Sequence, residues 1–265
     1  MNEDEKMDIS TRPVGVFDSG LGGITVLKEM TRLMPGENFI FYGDSANAPY
    51  GEKTTQQIRQ LSGRIVDYLL GRGAKAIVVA CNTATSAAIT GIRAAHPEVP
   101  VIGIEPAIKP VALAMPHKRI LVMATQNTLS LRKYHALIEK YEDQADFTSL
   151  ACTGLAARIE QGRFEDEDLM ELLHSLLDPY AGKVDAVVLG CTHYPFIRRQ
   201  IRAVLGDIPL YDGGAGTARE LRRELEAGGT LNPAALGGRV EFVSSRNTEE
   251  ELRLYRALYE MPIEA

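Results

Sequence analysis

Only three of the 265 residues are cysteine, too few and too scattered for a disulfide framework. None of the three forms a C-x2-C pair, the spacing that a structural zinc site or a thioredoxin-like exchange centre needs. Cys191 and His193 alone approach ligand spacing, so neither metal binding nor redox exchange is expected. Basic residues are also short, with 29 Lys and Arg against 35 Asp and Glu and a net charge of −6. A surface that binds phosphate backbones calls for clustered cations, so no nucleic-acid surface is expected. No apolar run approaches the roughly 18 residues of a membrane span. The acidic start, Met1-Asn2-Glu3-Asp4-Glu5-Lys6, lacks an apolar core of the signal-peptide type. Together these absences predict a cytoplasmic protein, without membrane attachment, whose cysteines stay reduced.

What the sequence does have is a repeat. Ala76-Ile77-Val78-Val79-Ala80-Cys81 and Ala186-Val187-Val188-Leu189-Gly190-Cys191 are both short aliphatic runs closed by a small residue and a cysteine. Such runs suit strands buried on both faces of a parallel sheet. Ligands bind at the carboxyl ends of strands in open α/β sheets, so two related halves each deliver one thiol to a crevice. One buried cysteine is usually a small hydrophobe, but packing alone does not require the same residue at two equivalent strand ends. Polar residues follow both cysteines. Thr83 or Thr85 is a candidate cap for the first helix, and Pro195 suits the first position of the second. A thiol at a helix start should have a lowered pKa and serve as a base. Cys152 has no such twin and reads as structural.

The alternation of strands and helices predicts an α/β fold. It is expected to form two similar open, mainly parallel-sheet domains with helices on both faces and the active site in the cleft between them. Strands are expected at 14–17, 38–42, 76–80, 101–104, 119–123 and 239–243. Helices are expected at 24–33, 56–70, 83–95, 129–141 and 217–225. The pattern restarts at Arg119, where a strand leads into Ala124-Thr125-Gln126-Asn127-Thr128 as the first leads into Asp18-Ser19-Gly20-Leu21-Gly22-Gly23. The first domain is placed at 1–105 plus 214–265 and the second, an insert, at 106–213. The loop 18–23 fits neither G-x-G-x-x-G nor G-K-[ST], which argues against nucleotides. Ser19 and its neighbouring backbone N–H groups could hold a substrate carboxylate. Asp18 shares the crevice with Cys81, where it could orient a thiol or accept from an ammonium group, and His193 is close enough to perturb Cys191.

These stretches, with Pro49-Tyr50-Gly51, Cys81-Asn82-Thr83 and Gly190-Cys191-Thr192-His193-Tyr194-Pro195, resemble the glutamate racemases along nearly the whole chain. Aspartate racemases typically carry Thr-Glu after the second cysteine, where this chain has Thr192-His193. The resemblance implies a cofactor-independent enzyme that interconverts L- and D-glutamate and supplies D-glutamate for peptidoglycan. It implies that Cys81 and Cys191 are the acid/base pair, Cys81 acting on D-glutamate and Cys191 on L-glutamate. It further implies polar helpers at Asp18, Asp44, Glu160 and His193. Substrate contacts are implied at Asp18, Ser19, Asn82, Thr83, Thr192 and His193, with Thr125 and Thr128 near the substrate side chain. Pro49, Tyr50 and Gly51 close the site, and a homodimer is compatible with the resemblance. The chain departs from the family pattern at Cys152-Thr153, often Cys-Pro, and at Ala124-Thr125, often Gly-Thr. Racemisation of aspartate or another small amino acid, and a non-catalytic amino-acid sensor, are the alternatives; a sensor has no need of paired thiols.

Overall fold

The computed structural model describes residues 9–262; the acidic start at 1–6 lies outside the described residues. Two all-parallel sheets organise the chain. The first has five strands, β1 (Val14–Asp18), β2 (Phe39–Gly43), β3 (Ala76–Val79), β4 (Val101–Gly103) and β9 (Val240–Ser244), in the order β4-β3-β1-β2-β9. The second has β5 (Arg119–Ala124), β6 (Asp146–Ala151), β7 (Ala186–Leu189) and β8 (Leu210–Asp212), in the order β6-β5-β7-β8. The α/β class with two parallel sheets is therefore as the alternation of elements implied.

Successive side chains of a strand point to opposite faces, and both sheets use this to bury two surfaces. Val14, Val16, Phe39, Phe41 and Val78 pack with α1 (Ile24–Leu33), α10 (Gly214–Gly228) and α11 (Glu249–Glu260). Phe17, Ile40, Ile77 and Val79 face α2 (Thr55–Gly71) and α3 (Asn82–Ala95). In the second sheet Ile120, Val122, Ala186 and Val188 cover α4 (Ile108–Ala114) and the tyrosines Tyr134 and Tyr141. Leu121, Met123, Val187 and Leu189 pack with Leu155 and Ile159 of α7 (Leu155–Ile159), with α8 (Glu167–Leu177) and with Ile201 of α9 (Arg198–Leu205). Each buried aliphatic contributes about 1.5–3 kcal/mol, which is why the central strands β1, β3 and β7 carry no polar residue before their ends.

Three expectations change. The helix expected at 129–141 is two helices, α5 (Gln126–Ser130) and α6 (Arg132–Glu139), separated by Leu131 in an extended conformation. The helix expected at 217–225 begins earlier, at Gly214, where the Asp212 carboxylate accepts from its N–H at 2.7 Å. Neither Thr83 nor Thr85 caps α3; Cys81 itself does, its sulfur accepting from Ala84 N at 3.4 Å. Pro195 sits in the first turn of a 3-10 segment, Tyr194–Ile197, that precedes α9. Among the described residues no helix is long and apolar enough to cross a membrane.

Candidate active site

The carboxyl ends of β1, β3, β5 and β7 bring the expected residues together. Cys81 and Cys191 are free, buried thiols, each two residues beyond its strand, β3 or β7. Cys191 is near enough for its charge to act on Cys81. Cys81 Sγ lies 3.6 Å from Ser19 Oγ and donates to it. Burial, and then the negative charge of Asp18, push the Cys81 thiol well above its ordinary pKa. The lowering expected at a helix start is thus overturned, because the sulfur is desolvated and faces a carboxylate.

Asp18 is itself pushed up to about 6 by burial, against the opposing charge of His193. Its Oδ2 accepts from Gly23 N at 2.8 Å, and Thr192 Oγ1 lies 3.4 and 3.5 Å from the two carboxylate oxygens. Glu160 comes from the end of α7 and reaches across to the other sheet. Both of its oxygens accept from Leu21 N at 3.1 Å, and Oε1 accepts from Ser45 Oγ at 2.7 Å. The loop 18–23 thus engages the N–H groups of Leu21 and Gly23 with two of the protein's own carboxylates, Glu160 and Asp18. Close approach explains its glycines: a Cβ on Gly20 would meet Glu160 at 2.3 Å, and one on Gly22 would meet His193 Nδ1 at 2.4 Å.

His193 links Glu160 to the second thiol. Its Nε2 is 2.6 Å from Glu160 Oε2 and its Nδ1 is 3.6 Å from Cys191 Sγ. Burial alone would lower the imidazole pKa, but Cys191 and Glu160 hold it well above its usual value. Burial likewise opposes ionisation of Glu160, and hydrogen bonds from His193, Ser45 and Leu21 still hold its pKa below normal. An ionised Glu160 only accepts, so Nε2 carries a proton.

Three hydroxyls from two sheets form a triangle: Thr83 to Thr125 at 3.0 Å, Thr83 to Thr128 at 3.1 Å and Thr125 to Thr128 at 3.0 Å. Asn82 is buried beside them in sequence with its Oδ1 unpartnered. Asp44 accepts from Tyr50 Oη at 2.6 Å and from Asn47 Nδ2 at 2.9 Å, so it contacts the tyrosine rather than a thiol. Gly51 lies against Thr125. Pro49 follows a cis peptide bond in the same loop. Cys152 is buried and held up to about 12 by desolvation.

Sequence reasoning missed four contributors. Asn127 Nδ2 donates to Tyr50 O at 3.1 Å and Lys53 O at 2.7 Å, tying the loop at 44–53 to α5. Thr25 Oγ1 donates to Thr192 O at 3.0 Å, and Ser45 and Tyr255 join the Glu160 cluster. Asn127 stood in the loop that mirrors Asp18–Gly23, which could have flagged it; nothing local marks Tyr255.

The Asp/Glu/Hydantoin racemase family model matches residues 17–221. A glutamate racemase of Clostridium botulinum (strain Alaska E43 / Type E3) is 47% identical over 96% of this chain and 99% of its own length. The chain belongs to the glutamate racemase family. Membership makes it an isomerase. Solved members share the fold: the Thermus thermophilus glutamate racemase in complex with β-chloro-D-alanine has a TM-score of 0.75 at 36% identity, covering 97% of this chain and 96% of that one. The Francisella tularensis glutamate racemase in complex with D-glutamate gives 0.82 at 26%, covering 97% and 98%.

Proposed function

We propose that this protein racemises glutamate by two-base proton transfer at Cα, without a cofactor, and supplies D-glutamate for peptidoglycan synthesis in the cytoplasm. The observation that carries this reading is the pair of buried free thiols at equivalent strand ends of two sheets, with the charge of Cys191 acting on Cys81. One thiol must be ionised while the other holds a proton, and the surroundings of the two differ in that sense. Cys81 faces the Asp18 carboxylate, which favours the neutral thiol as proton donor. Cys191 faces the imidazole of His193, whose protonated form provides a thiolate there with a counter-ion. In this reading Cys191 abstracts the proton of L-glutamate and Cys81 delivers one to the opposite face; D-glutamate uses the reverse.

The unpartnered Oδ1 of Asn82 and the carboxylate of Asp18 are acceptors for the substrate ammonium. Ser19, Thr83, Thr125, Thr128 and Thr192 supply hydroxyl donors for the carboxylates, none of them a Lys or Arg. In this reading the units 1–105 with 214–265 and 106–213 close on the substrate, with Tyr50 and Gly51 at the seam, and closure expels water that would protonate indiscriminately. The test is polarimetry of purified protein with L-glutamate and no added pyridoxal. Rotation is expected to decay to zero; rotation that stays constant, or that decays with L-aspartate instead, contradicts the proposal.

A further inference from the structure

Behind the site, a buried polar chain runs from Glu160 through Ser45 to helix α11. Ser45 Oγ is 2.7 Å from Glu160 Oε1 and 2.7 Å from Tyr255 Oη. Tyr255 is fully buried, with Phe41 and Phe242 packed edge-on against its ring. Proton counting fixes the direction. Glu160 is held ionised and only accepts, so the single proton of Ser45 goes to Glu160. The short contact between Ser45 and Tyr255 then has one proton left to fill it, that of the tyrosine. Tyr255 therefore donates to Ser45, and Ser45 to Glu160. The backbone makes room for this: a Cβ on Gly43 would lie 2.1 Å from Tyr255 Oη.

We propose that Tyr255, acting through Ser45, is a positioning residue that orients the Glu160 carboxylate toward His193 and so sets the protonation of the histidine facing Cys191. The proposal rests on the assignment of Cys191 and His193 given above. With Oε1 held by Ser45, Oε2 points at His193 Nε2 at 2.6 Å while sharing the longer contact from Leu21 N at 3.1 Å. The charged and titratable groups around this chain are Asp18 and Cys191 on the histidine side and Glu251 on the tyrosine side. Glu251 Oε1 lies 3.4 Å from Tyr255 Oη, and its other oxygen accepts from Ser244 Oγ at 2.5 Å. The contact of Tyr255 Oη with Glu251 is the longer and weaker of its two, secondary to the 2.7 Å bond to Ser45, and Glu251 serves to anchor α11 to the end of β9.

Tyr255→Phe removes the hydroxyl and keeps the buried ring. The primary readout is the titration of His193 followed by NMR in the free protein. A shift downward by about half a unit to one unit is expected, the effect of one lost hydrogen bond. Ser45→Ala breaks the same chain one link nearer and should give a similar shift, with the double variant no worse than either alone. The second readout is proton abstraction from each enantiomer of an analogue that loses a leaving group after Cα deprotonation. That step is irreversible, so the two directions are not forced to equal kcat/KM as they are in racemisation, whose equilibrium constant is one. Abstraction from the L-enantiomer should fall several-fold more than from the D-enantiomer. An unmoved His193 titration in Tyr255→Phe, or additive effects in the double variant, overturns the role of Tyr255. A moved titration with equal losses for both enantiomers instead overturns the assignment of Cys191 to L-glutamate and leaves the positioning of His193 standing.

Discussion

Asp18 shows what the site costs the fold. Its carboxyl is pushed up to about 6 from an ordinary 3.8 because it is buried beside few donors. The folded state therefore prefers the protonated acid. Below pH 3.8 both states are protonated and nothing is lost; between 3.8 and 6 the unfolded chain ionises first and stability falls; above 6 the loss is complete. The magnitude is on the order of 1–3 kcal/mol. Asp18→Asn should accordingly raise the melting temperature at pH 7 but not at pH 3.5, while lowering kcat at least about tenfold, since a carboxylate facing both the thiol and the ammonium is gone. Melting curves of both proteins at the two pH values check this. An Asn variant less stable at pH 7 would show that Asp18 is held by favourable contacts instead.

At the scale of elements, one tie across the seam between the sheets is a pair of loop-to-helix hydrogen bonds. Asn127 in α5 holds Tyr50 and Lys53 of the opposite loop. Two neutral hydrogen bonds are together worth about 1–2 kcal/mol, so Asn127→Ala is expected to reduce kcat/KM about 5- to 30-fold with little change in melting temperature. Loss of stability at unchanged kcat/KM would make the contact purely structural. The same elements show what was legible in advance. β1, β3, β5 and β7 announce themselves as aliphatic runs because both faces are buried, and the residues at their ends, Asp18, Cys81, Thr125 and Cys191, follow from them. β6 lies at a sheet edge with exposed Asp146, Thr148 and Ser149; no aliphatic run marks it, and it was not read. The break at Leu131 is also silent, since the residues on either side favour helix. Glu160 could be placed only by resemblance, and Ser45 and Tyr255 not at all, because residues 115 and 210 positions apart meet only once the sheets are packed. The sign of the Cys81 shift is hidden for a related reason: a helix start is visible in sequence, whereas burial and a neighbouring carboxylate are not.

For the whole molecule, the proposed chemistry depends on two thiols behaving as one system. Because the pair must hold one proton between them, kcat/KM should show a bell-shaped pH profile belonging to both jointly. The profile must be the same from either enantiomer; a rate rising monotonically over the whole stable pH range would contradict two-thiol catalysis. The central claim is that each thiol serves one face of Cα, and single-cysteine variants test it most directly. A serine hydroxyl is far harder to ionise than a thiol, so replacing one cysteine removes one base and leaves the other. The decisive measurement is the rate of leaving-group elimination from the L- and D-forms of a suitable glutamate analogue by Cys81→Ser and Cys191→Ser. Cys81→Ser is expected to retain elimination from the L-form and lose it from the D-form, and Cys191→Ser the reverse, with racemisation abolished in both. Equal loss of both enantiomers in folded variants, or wild-type racemisation in either, would contradict the account.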